Sequence, residues 1–100
     1  MLNIVKKQEG NTLTVRLEGR VDTNTAPEFQ SEVEPLLGNI SKLKLDFEQV
    51  EYISSAGLRV LLTFEQEMEE KDSVMELYNV NEIIHDVFDV TGFTDILTIL

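Results

Sequence analysis

One hundred residues, 42% of them apolar, suffice for a single domain built on one core. Nineteen acidic residues against eight basic ones leave a net charge of −11, a field that repels a phosphate backbone and argues against direct nucleic-acid binding. The absence of cysteine removes disulfides, thiol nucleophiles and cysteine-based metal sites, and no stretch approaches the ~18–20 apolar residues of a membrane span.

Residues 1–10 contain Lys6, Lys7 and Glu9 and lack the apolar run of a secretory signal, so the expected address is the cytoplasm. Residues 2–8 predict a first strand and "EGN" at 9–11 a turn. The strict alternation of "TLTVRLE" at 12–18 predicts a second strand with Leu13, Val15 and Leu17 on one face, closed by Gly19. Thr25 and Glu28 have the spacing of a capping box, and Pro27 falls in the tolerant first turn of a helix. Phe29, Val33, Leu36 and Leu37 share a face of that helix. Pro35 should kink it or end it early, with Gly38 and Asn39 completing the stop.

Alternation returns at 42–48, with Leu43, Leu45 and Phe47 inward. A helix is predicted over 55–70, with Leu58, Leu61, Leu62, Glu65 and Met68 on one stripe that Val60 and Phe64 widen. Glu65, Glu67, Glu69 and Glu70 are expected to form its solvated end. A strand follows at 74–78. Asn79 and Glu82 are spaced as cap and third residue of a helix over 81–90, with Ile83, Ile84, Val87 and Phe88 inward, and 96–100 form a short apolar end. The order is β-β-α-β-α-β-α plus that tail. Strands separated by such helices pair in parallel through right-handed crossovers, so one α/β domain over 1–100 is expected, with a mixed, mostly parallel sheet of about 4–5 strands.

Catalytic constellations are not legible. His85 stands alone among the residues, without zinc-type spacing, and Gly57 alone makes neither a Walker A loop nor a dinucleotide fingerprint. Ser55, His85 and an acid form a triad only on paper, because the G-x-S-x-G elbow is missing. The expectation is a protein that is not an enzyme and holds no cofactor and no metal.

"YISSAGLRVLL" at 52–62 is the informative stretch. Ser54 fits an N-cap, whose oxygen accepts from a backbone N–H in the next turn. Ser55 is then the first helical residue, with a hydroxyl that capping does not need. Ala56 and Gly57 add little bulk, although glycine in a helix costs roughly 0.5–1 kcal/mol relative to alanine. Close packing of helix on strand and close approach of a partner both account for that glycine.

"LKLDFEQVEYISSAGLRVLL", with "LEGRVDTNTAPEF" upstream, resembles the STAS domain, the fold of the bacterial anti-sigma factor antagonists. The resemblance covers nearly the whole chain. It rests on the turn of Gly19 and Asp22, the strand ending at Asp46, and an S-x-G-L-x-x-L helix start at Ser55. It implies a partner-switching regulator of transcription. In the family the unmodified protein binds an anti-sigma factor that is also a serine/threonine kinase. Phosphorylation at the start of this helix releases it, and a PP2C-type phosphatase resets the switch. Neither nucleic acid nor a membrane is an implied partner.

The family motif reads D-S-[S/T/A]-G, and here Ser54 replaces the aspartate, while Ala56 stands where many members carry the modified hydroxyl. Ser55 is therefore the expected phosphorylation site, with Ser54 as runner-up. Asp22 matches an acidic residue of the family's loop beside this helix. Asp22, Thr23 and Asn24 are expected on one surface with Ser54, Ser55, Ala56, Gly57 and Arg59, as the partner-binding set. The competing reading makes Asp22 an Asx-type turn, with Asn24 or Thr25 capping the first helix. The alternative function is a STAS-type module sensing a small molecule or nucleotide at the same helix start. It is the less favoured, since no glycine-rich cradle or basic cluster awaits a phosphate. The family fold usually closes with one more helix, so a short or absent C-terminal cap is expected after Leu100.

Overall fold

The computed structural model describes residues 2–100. β1 (Leu2–Glu9) pairs antiparallel with β2 (Thr12–Val21), and Gly10, at φ 61°, supplies the left-handed residue that their short turn requires. β2 then pairs in parallel with β3 (Lys42–Ile53), β3 with β4 (Val74–Tyr78) and β4 with the two-residue β5 (Thr98–Ile99), giving the order β1-β2-β3-β4-β5. The crossovers carry α1 (Ala26–Val33), α2 (Ser55–Glu70) and α3 (Glu82–Thr91). Each steps one strand in the same direction, so right-handed connections put all three helices on one face. There Leu13, Val15, Leu43, Leu45 and Leu77 are buried, while Arg16, Lys44 and Glu76 keep the opposite face polar. Phe29 of α1 meets Phe64 of α2 edge to face at 5.2 Å, and Phe47 of β3 meets Phe88 of α3 at 6.2 Å.

The single α/β domain, the mixed sheet and the element order are those the sequence predicts; several boundaries are not. β3 does not stop at 48, and β2 does not close at Gly19. Their register slips between Arg16 and Glu18 and again between Gly19 and Arg20, each time with one extra residue on β3. The buried positions of β3 therefore run Leu43, Leu45, Phe47, Val50 and Ile53, and the bulges hide the rest of the strand from a period-two reading. The apolar end at 96–100 contains β5, docked by Leu100 N–H donating to Leu77 O at 2.9 Å.

α1 ends at Val33, and Pro35 falls in the first turn of a 3₁₀ segment, Glu34–Asn39, as the early stop anticipates. Leu37 of that segment is buried and Leu36 half-buried. Lys71 Nζ, at the end of α2, donates to the carbonyls of Leu37 and Ile40 and ties the segment down. Asn81 caps α3, rather than Asn79: its Oδ1 accepts from Ile84 N–H at 2.9 Å and its Nδ2 donates to Val50 O at 3.0 Å. Asn79 has a left-handed backbone (φ 58°) and donates to Asp46 Oδ1 at 3.1 Å. Ile83, expected inward, is 71% exposed.

The acidic end of α2 also departs from expectation. Glu65 and Glu67 are half-buried, and Glu65 Oε1 and Glu67 Oε2 are shielded from water with no donor among the described residues. Hydrogen bonding to Glu34, helped by desolvation and by the charges of Glu34 and Glu70, pushes Glu67 up to about 7; the same contact, with Gln30, holds Glu34 low. Two carboxylates cannot donate to one another, so Glu67 must hold the shared proton. Desolvation and then Glu69 raise Glu65 as well. A folded-state value above the unfolded one means that the folded chain binds the extra proton. That contribution is present at acid pH and is lost as pH rises from 4.5, the ordinary glutamate value, through about 7. The lowered Glu34 works in the opposite sense, losing its contribution as pH falls below the ordinary range. Urea midpoints should therefore decline across the window from 4.5 to about 7, and Glu67→Gln, whose amide donates to Glu34 at any pH, should flatten the decline. An unchanged slope in that variant would contradict the shared proton.

Candidate functional site

The end of β3 and the start of α2 meet at the serine pair. Ser54 is the N-cap, extended at φ −96° and ψ 176°, with its Oγ accepting from Gly57 N–H at 3.4 Å and its carbonyl accepting from Leu58 N–H at 3.0 Å. Its own N–H donates to Val21 O at 2.8 Å, pinning the corner to the end of β2. Ser55, the first helical residue, is exposed. The two hydroxyls thus have different environments: that of Ser54 is half-buried and engaged, whereas that of Ser55 faces solvent.

Gly57 is buried, and the reason is contact with the protein's own strands. A Cβ there would lie 2.8 Å from Val21 Cγ1, 2.8 Å from Ile53 Cγ1 and 3.1 Å from Val21 O. The small residue lets the first turn of α2 sit down on the ends of β2 and β3. Of the residues expected to meet a partner, Gly57 therefore offers no surface, and Ala56 is half-buried against the core. Ser55 and Arg59 are the exposed pair on this turn.

The loop after β2 is brought to the same corner, since Val21 bonds to Ser54 and is followed directly by Asp22. Asp22 Oδ1 accepts from Asn24 N–H at 2.9 Å and Thr25 N–H at 3.1 Å, which is the Asx-type turn. Partial desolvation raises the Asp22 carboxyl, but the N–H groups of Thr25 and Asn24, the Thr25 hydroxyl and the Arg20 charge outweigh it and hold it below the usual range. Thr25 does not form the expected capping box. Its Oγ1 donates to Arg20 O at 2.7 Å and accepts from Asp22 N–H at 2.9 Å, so the hydroxyl is turned back into the loop instead of onto α1. Thr23 and Asn24 are exposed. Asp22 is half-buried, with its Oδ2 toward Arg20 Nε at 3.8 Å.

Two residues of this corner escape the sequence reading. The Arg20 guanidinium lies 4.3 Å over the ring of Tyr52, which is 41% exposed, across the register that pairs Arg20 with Tyr52. Both bulges are needed to bring these positions side by side, so spacing alone could not reveal the pair. His85 lies on α3 and pairs with Asp89, Nδ1 to Oδ2 at 3.4 Å. The described residues hold no cluster of three or more metal-ligating side chains, and no helix among them is long and apolar enough to cross a membrane.

Comparison with known proteins follows the same lines. The STAS domain family profile matches residues 3–100. The anti-sigma-B factor antagonist of Bacillus subtilis is 29% identical over 98 residues, covering 98% of this chain and 90% of that protein. An anti-sigma factor antagonist from Mycobacterium paratuberculosis superposes with a TM-score of 0.89 at 17% identity, over 99% of this chain and 85% of that one. The anti-sigma factor antagonist SpoIIAA in its unphosphorylated form superposes with a TM-score of 0.78 at 17% identity, over 98% of this chain and 87% of that one. The Bacillus cell fate determinant SpoIIAA in its phosphorylated form superposes with a TM-score of 0.77 at 18% identity, over 98% and 91%.

Proposed function

This chain belongs to the STAS domain family, and from that membership we propose that it is an anti-sigma factor antagonist that changes partners through the state of Ser55. The observation that carries the reading is the split between the two serines. Ser54 is committed to the helix start, whereas Ser55 is exposed to solvent at the first helical position. Unmodified, the surface of Ser55, Arg59, Thr23 and Asn24, with Asp22 beside them, binds an anti-sigma factor that carries serine/threonine kinase activity. The kinase transfers the γ-phosphoryl group of ATP to Ser55 Oγ, ADP leaves, and the hydroxyl proton passes to a base of the kinase. A PP2C-type phosphatase hydrolyses the ester and restores the binding form. The chain contributes the acceptor and the docking surface, and no catalytic group. Its place of action is the cytoplasm.

Electrostatics support a switch that leaves the fold intact. A phosphoryl group adds about −1.5 to −2 charges and three acceptor oxygens. At a helix N-terminus the free N–H groups and the dipole favour such an anion. Within a docked interface the same group must be desolvated and accommodated, and each 1.4 kcal/mol of lost binding is about tenfold in affinity. The Bacillus antagonists lend the partner, and SpoIIAA lends the precedent of a phosphorylated form on this fold.

Immobilised domain presented with native cytoplasmic extract tests the reading. It should retain an ATPase-type kinase and release it when Mg²⁺ and ATP are supplied. If no kinase is retained, and a metabolite raises the melting temperature instead, the protein is a sensing module and the switch is wrong.

A further inference from the structure

α3 carries more apolar side chains than the core takes. Ile84 and Phe88 point inward and are buried, with Phe88 against Phe47. At about 100° per residue, Ile83, Val87 and Val90 form a second stripe along one flank of that inward face. Ile83 is 71% and Val90 87% exposed, and Val87 is half-buried. A groove of about 250 Å³ runs along this flank between Asp86, Val87, Val90 and Thr91. Beyond the stripe, Glu82, Asp86 and Asp89 form an acidic band.

The charge around this helix is one-sided. From Asp72 to Leu100 the chain holds six carboxylates and neither lysine nor arginine. Of the side chains α3 itself presents, His85 alone can be cationic, and it is paired with Asp89. The same third of the chain contains Val74, Ile83, Val90, Ile96 and Leu100, all large apolar residues that remain exposed.

We infer that the Ile83–Val87–Val90 stripe and its acidic band are a docking surface for a basic amphipathic helix of a partner protein. The apolar side of such a helix covers the stripe, and its flanking lysines and arginines meet Glu82, Asp86 and Asp89. A second copy of this chain is a poor occupant, because an isologous pairing sets the acidic band against itself. Nucleic acid and an anionic membrane are repelled by the same carboxylates. None of these residues belongs to the set at the Ser55 corner, so the proposal does not depend on the switch.

The test uses the full chain and a fluorescein-labelled 18-residue peptide of leucine and lysine, patterned as an amphipathic helix, followed by anisotropy at physiological salt. Ile83→Ser with Val90→Ser should weaken binding about tenfold, and Asp86→Asn should weaken it severalfold and reduce its salt dependence. Val5→Ser with Val74→Ser, which trims exposed apolar residues on β1 and β4, and Glu48→Gln with Glu51→Gln on β3 should leave it unchanged. All four altered residues outside α3 are exposed, so folding is not at stake. Equal losses from these control pairs, or no loss from the α3 pair, overturns the proposal. So does a dimer seen in sedimentation velocity that Ile83→Ser with Val90→Ser dissolves, since the occupant is then a second copy.

Discussion

Ser55→Glu is expected to leave the domain folded and to weaken the proposed complex with an anti-sigma factor about a hundredfold, or ~2.7 kcal/mol. The fold tolerates the change because residue 55 is exposed at the first helical position. A carboxylate there faces the open N–H groups of the helix start, an interaction worth about 0.3–1 kcal/mol in the stabilising direction. Exposed substitutions of this kind usually stay within about 0.5 kcal/mol, which for a domain of this size is a melting shift of roughly 2–4 °C. In the proposed interface, centred on a neutral hydroxyl, the charge must be stripped of water, which is why binding should fall. Ser55→Ala keeps that site small and neutral, so it should bind as the unmodified protein does and resist release by ATP. Ser54→Ala behaves differently: it removes the cap and costs about 0.5–1 kcal/mol of stability, with binding affected only in that proportion. Titration calorimetry alongside thermal melts separates the three variants. A Ser55→Glu protein that binds with undiminished affinity would contradict the placement of Ser55 in the interface.

Gly57→Val, two residues further on, should have the reverse phenotype. The helix start rests on β2 and β3 so closely that even a Cβ meets Val21 Cγ1 and Ile53 Cγ1 at 2.8 Å. Both neighbours are buried, β-branched and stiff at χ1, and the third contact, at 3.1 Å, is the backbone oxygen of Val21, which already accepts from Ser54 N–H. None of the three can swing aside cheaply. Overpacking a filled site costs about 1–3 kcal/mol, and a branched side chain in this position should reach about 3 kcal/mol. Alanine is milder, since the gain of roughly 0.5–1 kcal/mol for replacing a helical glycine offsets part of the strain. The urea midpoint should drop in both variants, further for valine, with the slope unchanged. A Gly57→Val protein as stable as the parent would show that the close approach is not there.

These opposite outcomes measure what could be read from the residues. Periodicity sufficed where strands are regular and one-sided: Leu13, Val15 and Leu17 in β2, and Leu43, Leu45 and Phe47 at the start of β3, are all buried. It failed where geometry departs from period two. The bulges extend β3 to Ile53 and create the Arg20–Tyr52 contact, and neither carries a local signature. Thr25 shows the limit of a capping motif: the residue types and spacing are right, yet the hydroxyl finds better partners in the loop behind it. The assignment of Asn79 as cap fails for a related reason, because Asn81 stands two residues on and its side chain can also reach β3. Ile83 satisfies the helical pattern but lies on a flank of α3 that no element among the described residues covers. At the serine pair, capping chemistry alone separates a committed Ser54 from an exposed Ser55, and the close approach of Val21 and Ile53 explains why Gly57 is needed beneath them.

The decisive measurement is to incubate the domain with the proposed kinase partner and ATP, then map the phosphate by peptide mass spectrometry while following the complex by gel filtration. The prediction is a single phosphoryl group on Ser55 that appears as the complex dissolves. A phosphate on any residue other than Ser55, Ser54 included, or one on Ser55 that leaves the complex intact, would contradict it.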